Sequence, residues 1–110
     1  MDSAGALEAI DRILNRGGDA DDVLRRVLTA LHDRGVAYAA IRFVEAGDLV
    51  DGPSIGTHVD ARTTPIVYEG EQVGELDLAV EDAAFAERVA TLISAHVLVG
   101  WDTGGQPWSA

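Results

Sequence analysis

The sequence contains no cysteine and no lysine, and only 5% of its residues are aromatic. The absence of cysteine excludes disulfide bonds, thiolate metal sites and thiol nucleophiles. The absence of lysine makes every basic side chain an arginine, which is typical of a GC-rich bacterial genome. No apolar run is long enough to span a bilayer, and the N-terminal residues lack the basic and apolar regions of a signal peptide. A cytoplasmic protein is therefore expected.

The charge is strongly one-sided, with 19 acidic residues against 8 basic ones, a formal net charge of −11 and a pI near 4.3. Such a surface repels phosphate backbones and anionic lipid headgroups, so neither nucleic acid nor a membrane is an expected partner. The hydrophobic content of 47% suffices for one core in a chain of 110 residues. We predict a single domain over residues 1–101 and a C-terminal tail over 102–110.

Two helices are predicted at the start of the chain. Apolar residues at positions 6, 7, 10, 13 and 14 follow helical spacing, and Gly17-Gly18 ends the first helix. Asp19 is the predicted N-cap of the second helix, which covers 21–34 and stops at Gly35.

Four strands in two hairpins follow, and then a long helix. The strands are predicted over 36–45, 49–55, 63–68 and 72–80, with turns at 46–48 and 69–71. Gly52-Pro53 makes the second strand an edge strand, and Gly74 indicates a bulge or a close backbone approach. Asp82 is expected to cap the last helix, which extends to about Val99 and is apolar over more than one stripe. A second packing partner for that helix is therefore implied, either the N-terminal helix or another subunit.

These elements resemble a GAF domain over nearly the whole chain. Helix 21–34 followed by 36–45 looks like the start of such a domain. Residues 65–78 are similar to its late hairpin, in which an apolar strand opens with Pro, turns through a Gly and returns as apolar-Gly-x-Leu-x-apolar. Residues 85–97 resemble its closing helix, which often mediates dimerisation. The resemblance implies an α+β, GAF-like (profilin-like) fold with a four-stranded antiparallel sheet of order 2-1-4-3, with the first and last helices on one face and the second helix beside them.

One departure from that family concerns ligands. Typical GAF domains place a long segment between the second strand and the late hairpin, and it forms a lid over a pocket. Only residues 56–64 occupy that place here, so we expect no enclosed pocket and no cofactor. No position matches a tetrapyrrole-attaching cysteine, and the cysteines of the family's methionine-sulfoxide reductase branch are missing.

The candidate ligand-binding residues lie on the sheet face that the helices leave open. They are Tyr38, Arg42, His58 and Tyr68. Arg42 has two interpretations: it binds an anion together with Tyr38, or it forms a cross-strand ion pair with Glu75 and Asp77. The ion pair is the simpler one and is favoured.

The three histidines have no spacing typical of a metal site. His32 is expected to interact with the end of the second helix. His96 is either bonded to a carbonyl group within its own chain, which is the favoured interpretation, or a polar or pH-sensitive contact at a dimer seam.

No catalytic triad or acid–base pair can be assembled, so we expect no enzymatic activity. The favoured function is a stand-alone sensory or regulatory domain in signal transduction that forms a homodimer or binds a signalling protein. The predicted interface residues are Leu7, Ile10, Leu14, Leu92, His96, Val99 and Trp101. Two alternatives remain open: a small-molecule sensor that uses the open sheet face, and an enzyme whose metal or cofactor would copurify.

Overall fold

The computed structural model describes residues 2–101, and of residues 99–101 only the backbone. Three helices and four strands follow the predicted order. Their bounds are α1 (Ser3–Arg16), α2 (Ala20–Asp33), β1 (Tyr38–Glu45), β2 (Asp48–Gly56), β3 (Arg62–Tyr68), β4 (Glu71–Leu78) and α3 (Ala83–Trp101). The predicted tail at 102–110 lies outside the described residues.

The helix ends follow local hydrogen bonding. Asp82 caps α3, because its Oδ1 accepts a hydrogen bond from the Phe85 amide at 3.2 Å. Asp19 is the N-cap residue of α2, as predicted, but its side chain makes no capping hydrogen bond. The end of α2 is a Schellman motif: Gly35, at a φ of 103°, donates to the His32 carbonyl, and Val36 donates to the Leu31 carbonyl.

Both hairpins turn through two residues with positive φ, the backbone of a type I′ turn. Ala46 and Gly47 have φ angles of 52° and 87°, and Glu69 and Gly70 have 50° and 84°. This turn matches the right-handed twist of the strands, so it sets the register of each hairpin. The predicted turn positions are thus confirmed.

The sheet is antiparallel with the predicted order β2-β1-β4-β3, and β2 is an edge strand. The pairing shifts register opposite Gly52-Pro53 and again near Gly74. A Cβ at Gly52 would collide with the Phe43 ring, and one at Gly74 would collide with the Arg42 carbonyl oxygen. The close approach predicted at Gly74 is therefore present, together with a bulge.

All three helices lie on one face of the sheet, but α2 and α3 contact the strands while α1 packs mainly on those two helices. The expectation that the first helix covers the sheet was therefore wrong. The helix-facing side of β1 carries Ala39, Ile41 and Phe43, which are fully buried. Ala37 precedes β1 and is exposed, so it does not belong to this buried row.

Candidate functional site

The open face of the sheet carries an ion-pair network centred on Arg42. The strand register places Arg42 opposite Glu75 on β4, and Asp77 follows two residues later. Its Nη2 atom lies 2.8 Å from Glu75 Oε1 and 2.9 Å from Asp77 Oδ1, so the predicted cross-strand ion pair is confirmed. The side chains are 31%, 23% and 17% exposed in the order Arg42, Glu75, Asp77. At that exposure each pair contributes about a few tenths to ~1 kcal/mol of stability.

The network reaches the far edge of the sheet and leaves one donor unused. The Thr63 hydroxyl on β3 donates to Asp77 Oδ1 at 2.8 Å. The Nε atom of Arg42 is buried and has no hydrogen-bond partner among the described residues. Since buried donors are almost always satisfied, this N–H is a candidate contact for a ligand.

A cleft of 340 Å³ opens beside this network, between β1 and β2. The Tyr38 and His58 rings meet at its edge, with centroids 4.9 Å apart and planes tilted by 58°. Its lining consists of Tyr38, Ala40, Ile41, Arg42, Asp51, Gly52, Ser54, His58 and Asp77. The 57–61 loop between β2 and β3 contributes only His58 to this lining.

Three of the four residues predicted to bind a ligand thus converge on one cleft. Tyr68 does not join them, because it shares the helix-facing side of β3 with Thr64 and Ile66 and packs against the core. Asp51 and Ser54 line the cleft but were not singled out in the sequence. Their place depends on the β1–β2 register, which pairs Arg42 with Asp51 and Ala40 with Ser54.

The charge of the cleft differs from that expected for an anion site. Two carboxylates already hold Nη2 of Arg42, and Asp51 adds a third acidic group. A neutral or cationic ligand therefore fits this surface better than an anion does. Within the described residues, no group of three or more His, Asp or Glu side chains is placed to hold a metal ion.

The residues predicted to form an interface occupy different environments. Leu7, Leu14 and Leu92 are half-buried and pack at the margin of the core. Ile10 is fully buried within its own chain, so it offers no surface to a partner. The side chains of Val99 and Trp101 lie outside the described residues.

The histidines on α2 and α3 differ in their hydrogen bonding. His32 Nδ1 donates to the Val36 carbonyl at 2.9 Å, so it tethers the segment that follows α2. His96 Nδ1 is buried and lacks a partner among the described residues, so the bond to a carbonyl expected there is not formed by this atom. Desolvation by burial lowers the pKa of His96 below its ordinary value.

Solved structures place this fold among GAF domains. The GAF domain of an Acinetobacter phosphoenolpyruvate-protein phosphotransferase matches with a TM-score of 0.69 and 11% identity, over 89% of this chain and 95% of that chain. A type II free methionine-R-sulfoxide reductase from Thermoplasma acidophilum matches with a TM-score of 0.62 and 16% identity, over 71% of this chain and 92% of that chain. No protein-family model matches the sequence, and no curated protein does. The chain therefore has a GAF-like fold.

Within residues 2–101, no helix combines the length and the apolarity that crossing a bilayer requires.

Proposed function

We propose that this chain is a non-catalytic regulatory domain that acts in signal transduction by forming a homodimer through α1 and α3. The observation that carries the proposal is the apolar surface that remains on α3 after the core is complete. Phe85, Val89 and Ile93 are buried against the rest of the chain. Leu92 and Ala95 lie off that buried stripe and are half-buried.

The α1 side of the same surface is also apolar. Leu7 and Leu14 are half-buried, and helical spacing places them two turns apart on one flank of α1. The small Ala95 allows another helix to approach closely, and a two-fold axis would bring the same residues from both copies together. The half-buried His96, one turn after Leu92, lies beside this surface.

A charge placed on this surface tests the dimer. In Ala95→Glu, two-fold symmetry would place two new carboxylates close together, so we expect at least about tenfold weaker association. Sedimentation equilibrium should give twice the 11.6 kDa chain mass for the original protein and a shift toward 11.6 kDa for the variant.

The matched control for that experiment is Val67→Glu, which adds the same charge to a valine that is 46% exposed on the open sheet face. The Val67→Glu variant should still sediment with the mass of a dimer. A monomer at tens of micromolar concentration in the original protein would refute the proposal, and so would equal loss of association in both variants.

The cleft between β1 and β2 supports a second function, a small-molecule sensor on the open face. Its chemistry suits a neutral or cationic aromatic compound, with the ring near Tyr38 and His58 and a positive group near Asp51. Tryptamine should raise the melting temperature while indole-3-acetate, which carries a carboxylate, should not.

The test of this second function needs a variant that removes the acidic group of the cleft. Asp51→Asn should abolish the tryptamine effect, while Asp48→Asn, at the hairpin end of the same strand, should preserve it. No shift with tryptamine in the original protein, or a shift that survives in Asp51→Asn, would contradict this function.

A further inference from the structure

The helical layer contains a second cleft, lined by three of the eight arginines of an otherwise acidic chain. It lies between α1 and α2, has a volume of 220 Å³, and is lined by Arg12, Arg16, Arg26, Ala9 and Ile13. Acidic residues outnumber basic ones by 19 to 8 in this chain, so three arginines around one cleft form a local reversal of its charge.

Helical spacing explains how these side chains meet. Arg12 and Arg16 are one turn apart on α1, so they project from the same flank of that helix. Arg26 projects from α2 across the cleft. Ala9 is 9% exposed and Ile13 half-buried, so they supply an apolar floor between the two helices.

The three guanidinium groups have no acidic partners within the described residues. Glu8 precedes Arg12 by one turn and Asp22 precedes Arg26 by one turn, a spacing that favours ion pairs on a helix. Neither of these two pairs is among the ion pairs that join side chains of the described residues. The cleft is therefore lined by three cations that no acidic side chain of the described residues neutralises, and an anion bound in it would be attracted to all three.

We propose that this cleft binds a small phosphate monoester, with the phosphate held by Arg12, Arg16 and Arg26 and an apolar body on Ala9 and Ile13. A phosphate monoester carries a charge of about −1.5 to −2 and three terminal oxygens, so it can satisfy several guanidinium groups at once. A carboxylate carries one charge and two oxygens, so it would leave at least one arginine unpaired. The volume of 220 Å³ suits a small molecule rather than a long peptide.

This site is independent of the proposed dimer. Its α1 residues lie on the flank that faces α2, whereas Leu7 and Leu14 lie on the opposite flank of the buried stripe. None of the arginines belongs to the predicted interface, so failure of the dimer proposal would leave this site untouched.

Isothermal titration with phenyl phosphate tests the site, and benzoate and inorganic phosphate are the comparison ligands. Phenyl phosphate should bind more tightly than either, because it alone combines the dianion with an apolar ring. Arg12→Gln, Arg16→Gln and Arg26→Gln should each weaken its binding about tenfold, since each removes a charge-assisted hydrogen bond. Arg88→Gln, which removes the same charge from an exposed site on α3, should change binding less than about twofold.

Three results would overturn the proposal. The first is the absence of phenyl phosphate binding at millimolar concentration, and the second is an equal loss of affinity in Arg88→Gln. The third is far tighter binding of a phosphoserine peptide than of phenyl phosphate, which would assign the cleft to a protein partner. Circular dichroism spectra of the variants that match the original protein would attribute any lost binding to the missing arginine.

Discussion

Arg42 and His96 are partly buried polar side chains, and each contains a buried nitrogen atom that has no hydrogen-bond partner among the described residues. Arg42 has two carboxylates at Nη2 and an unused Nε, while Nδ1 of His96 has no partner among the described residues. Burying an unsatisfied polar atom costs stability. Arg42 also lines the open-face cleft, so a ligand bound there can add a hydrogen bond that the described chain does not make.

The lowered pKa of His96 predicts a pH-dependent stability difference. Burial favours the neutral imidazole in the folded state, while the unfolded chain takes up a proton near the ordinary pKa of about 6.5. As pH falls through that value, the unfolded state binds more protons at His96 than the folded state does. The free energy of unfolding therefore decreases as the pH is lowered. The His96→Leu variant lacks this proton uptake.

Urea unfolding at about pH 8 and about pH 5.5 measures this effect. The free energy of unfolding of His96→Leu minus that of the original protein should be larger at the lower pH. His58→Leu, a change in an exposed loop residue, serves as the control and isolates the contribution of position 96. A difference that is the same at both pH values would contradict the assigned effect of burial.

At the scale of elements, the sheet depends on glycines where strands and side chains come closest. Gly74 allows β4 to approach the backbone of β1 at Arg42 and lies near Val97 of α3. Gly52 allows the ring of Phe43 to pack beneath edge strand β2. Glycine is generally unfavourable within a strand. It occurs at these two positions because a side chain would collide with the neighbouring atoms.

Gly52→Ala should therefore lower the free energy of unfolding by about 1–3 kcal/mol, since its Cβ would overlap the Phe43 ring. Urea unfolding measures the loss. The loss should be smaller in a Phe43→Leu background, where the ring is absent, so the two substitutions should be non-additive.

The control for this prediction is Gly5→Ala in α1. There the new Cβ would meet mainly the carboxylate end of Asp2, which can move. Alanine is favoured over glycine in a helix, so this change should be neutral or stabilising by up to about 1 kcal/mol. Equal destabilisation at positions 5 and 52 would rule out the steric explanation.

At the scale of the whole molecule, three surfaces differ in chemistry and lie on different sides of the fold. The open sheet face carries the acidic network around Arg42, the proposed α1–α3 surface includes half-buried leucines, and the α1–α2 cleft is lined by arginines. The net charge of −11 therefore gives the total charge of the chain but does not show how charged side chains are distributed over its surface. Separate surfaces would allow the domain to associate and to bind a ligand at the same time.

Much of the fold was predictable because its signals are local. Hydrophobic spacing marked the helices, alternation marked β4, and the glycines at 35, 47 and 70 marked ends and turns. The Arg42 ion pair was also predictable once β1 was placed beside β4. The missing capping hydrogen bond of Asp19 was not predictable, because a suitable residue at the N-cap position does not fix the side-chain rotamer that makes the bond.

Sequence by itself determined the elements, their order and the exclusion of thiol chemistry, because each depends on residue type and near-neighbour spacing. Tertiary structure alone decided that Asp51 and Ser54 join the open-face cleft and that Tyr68 turns to the core. It also decided that Arg12, Arg16 and Arg26 line one cleft between two helices. These groupings depend on strand register and helix packing, which bring together residues that no sequence period relates.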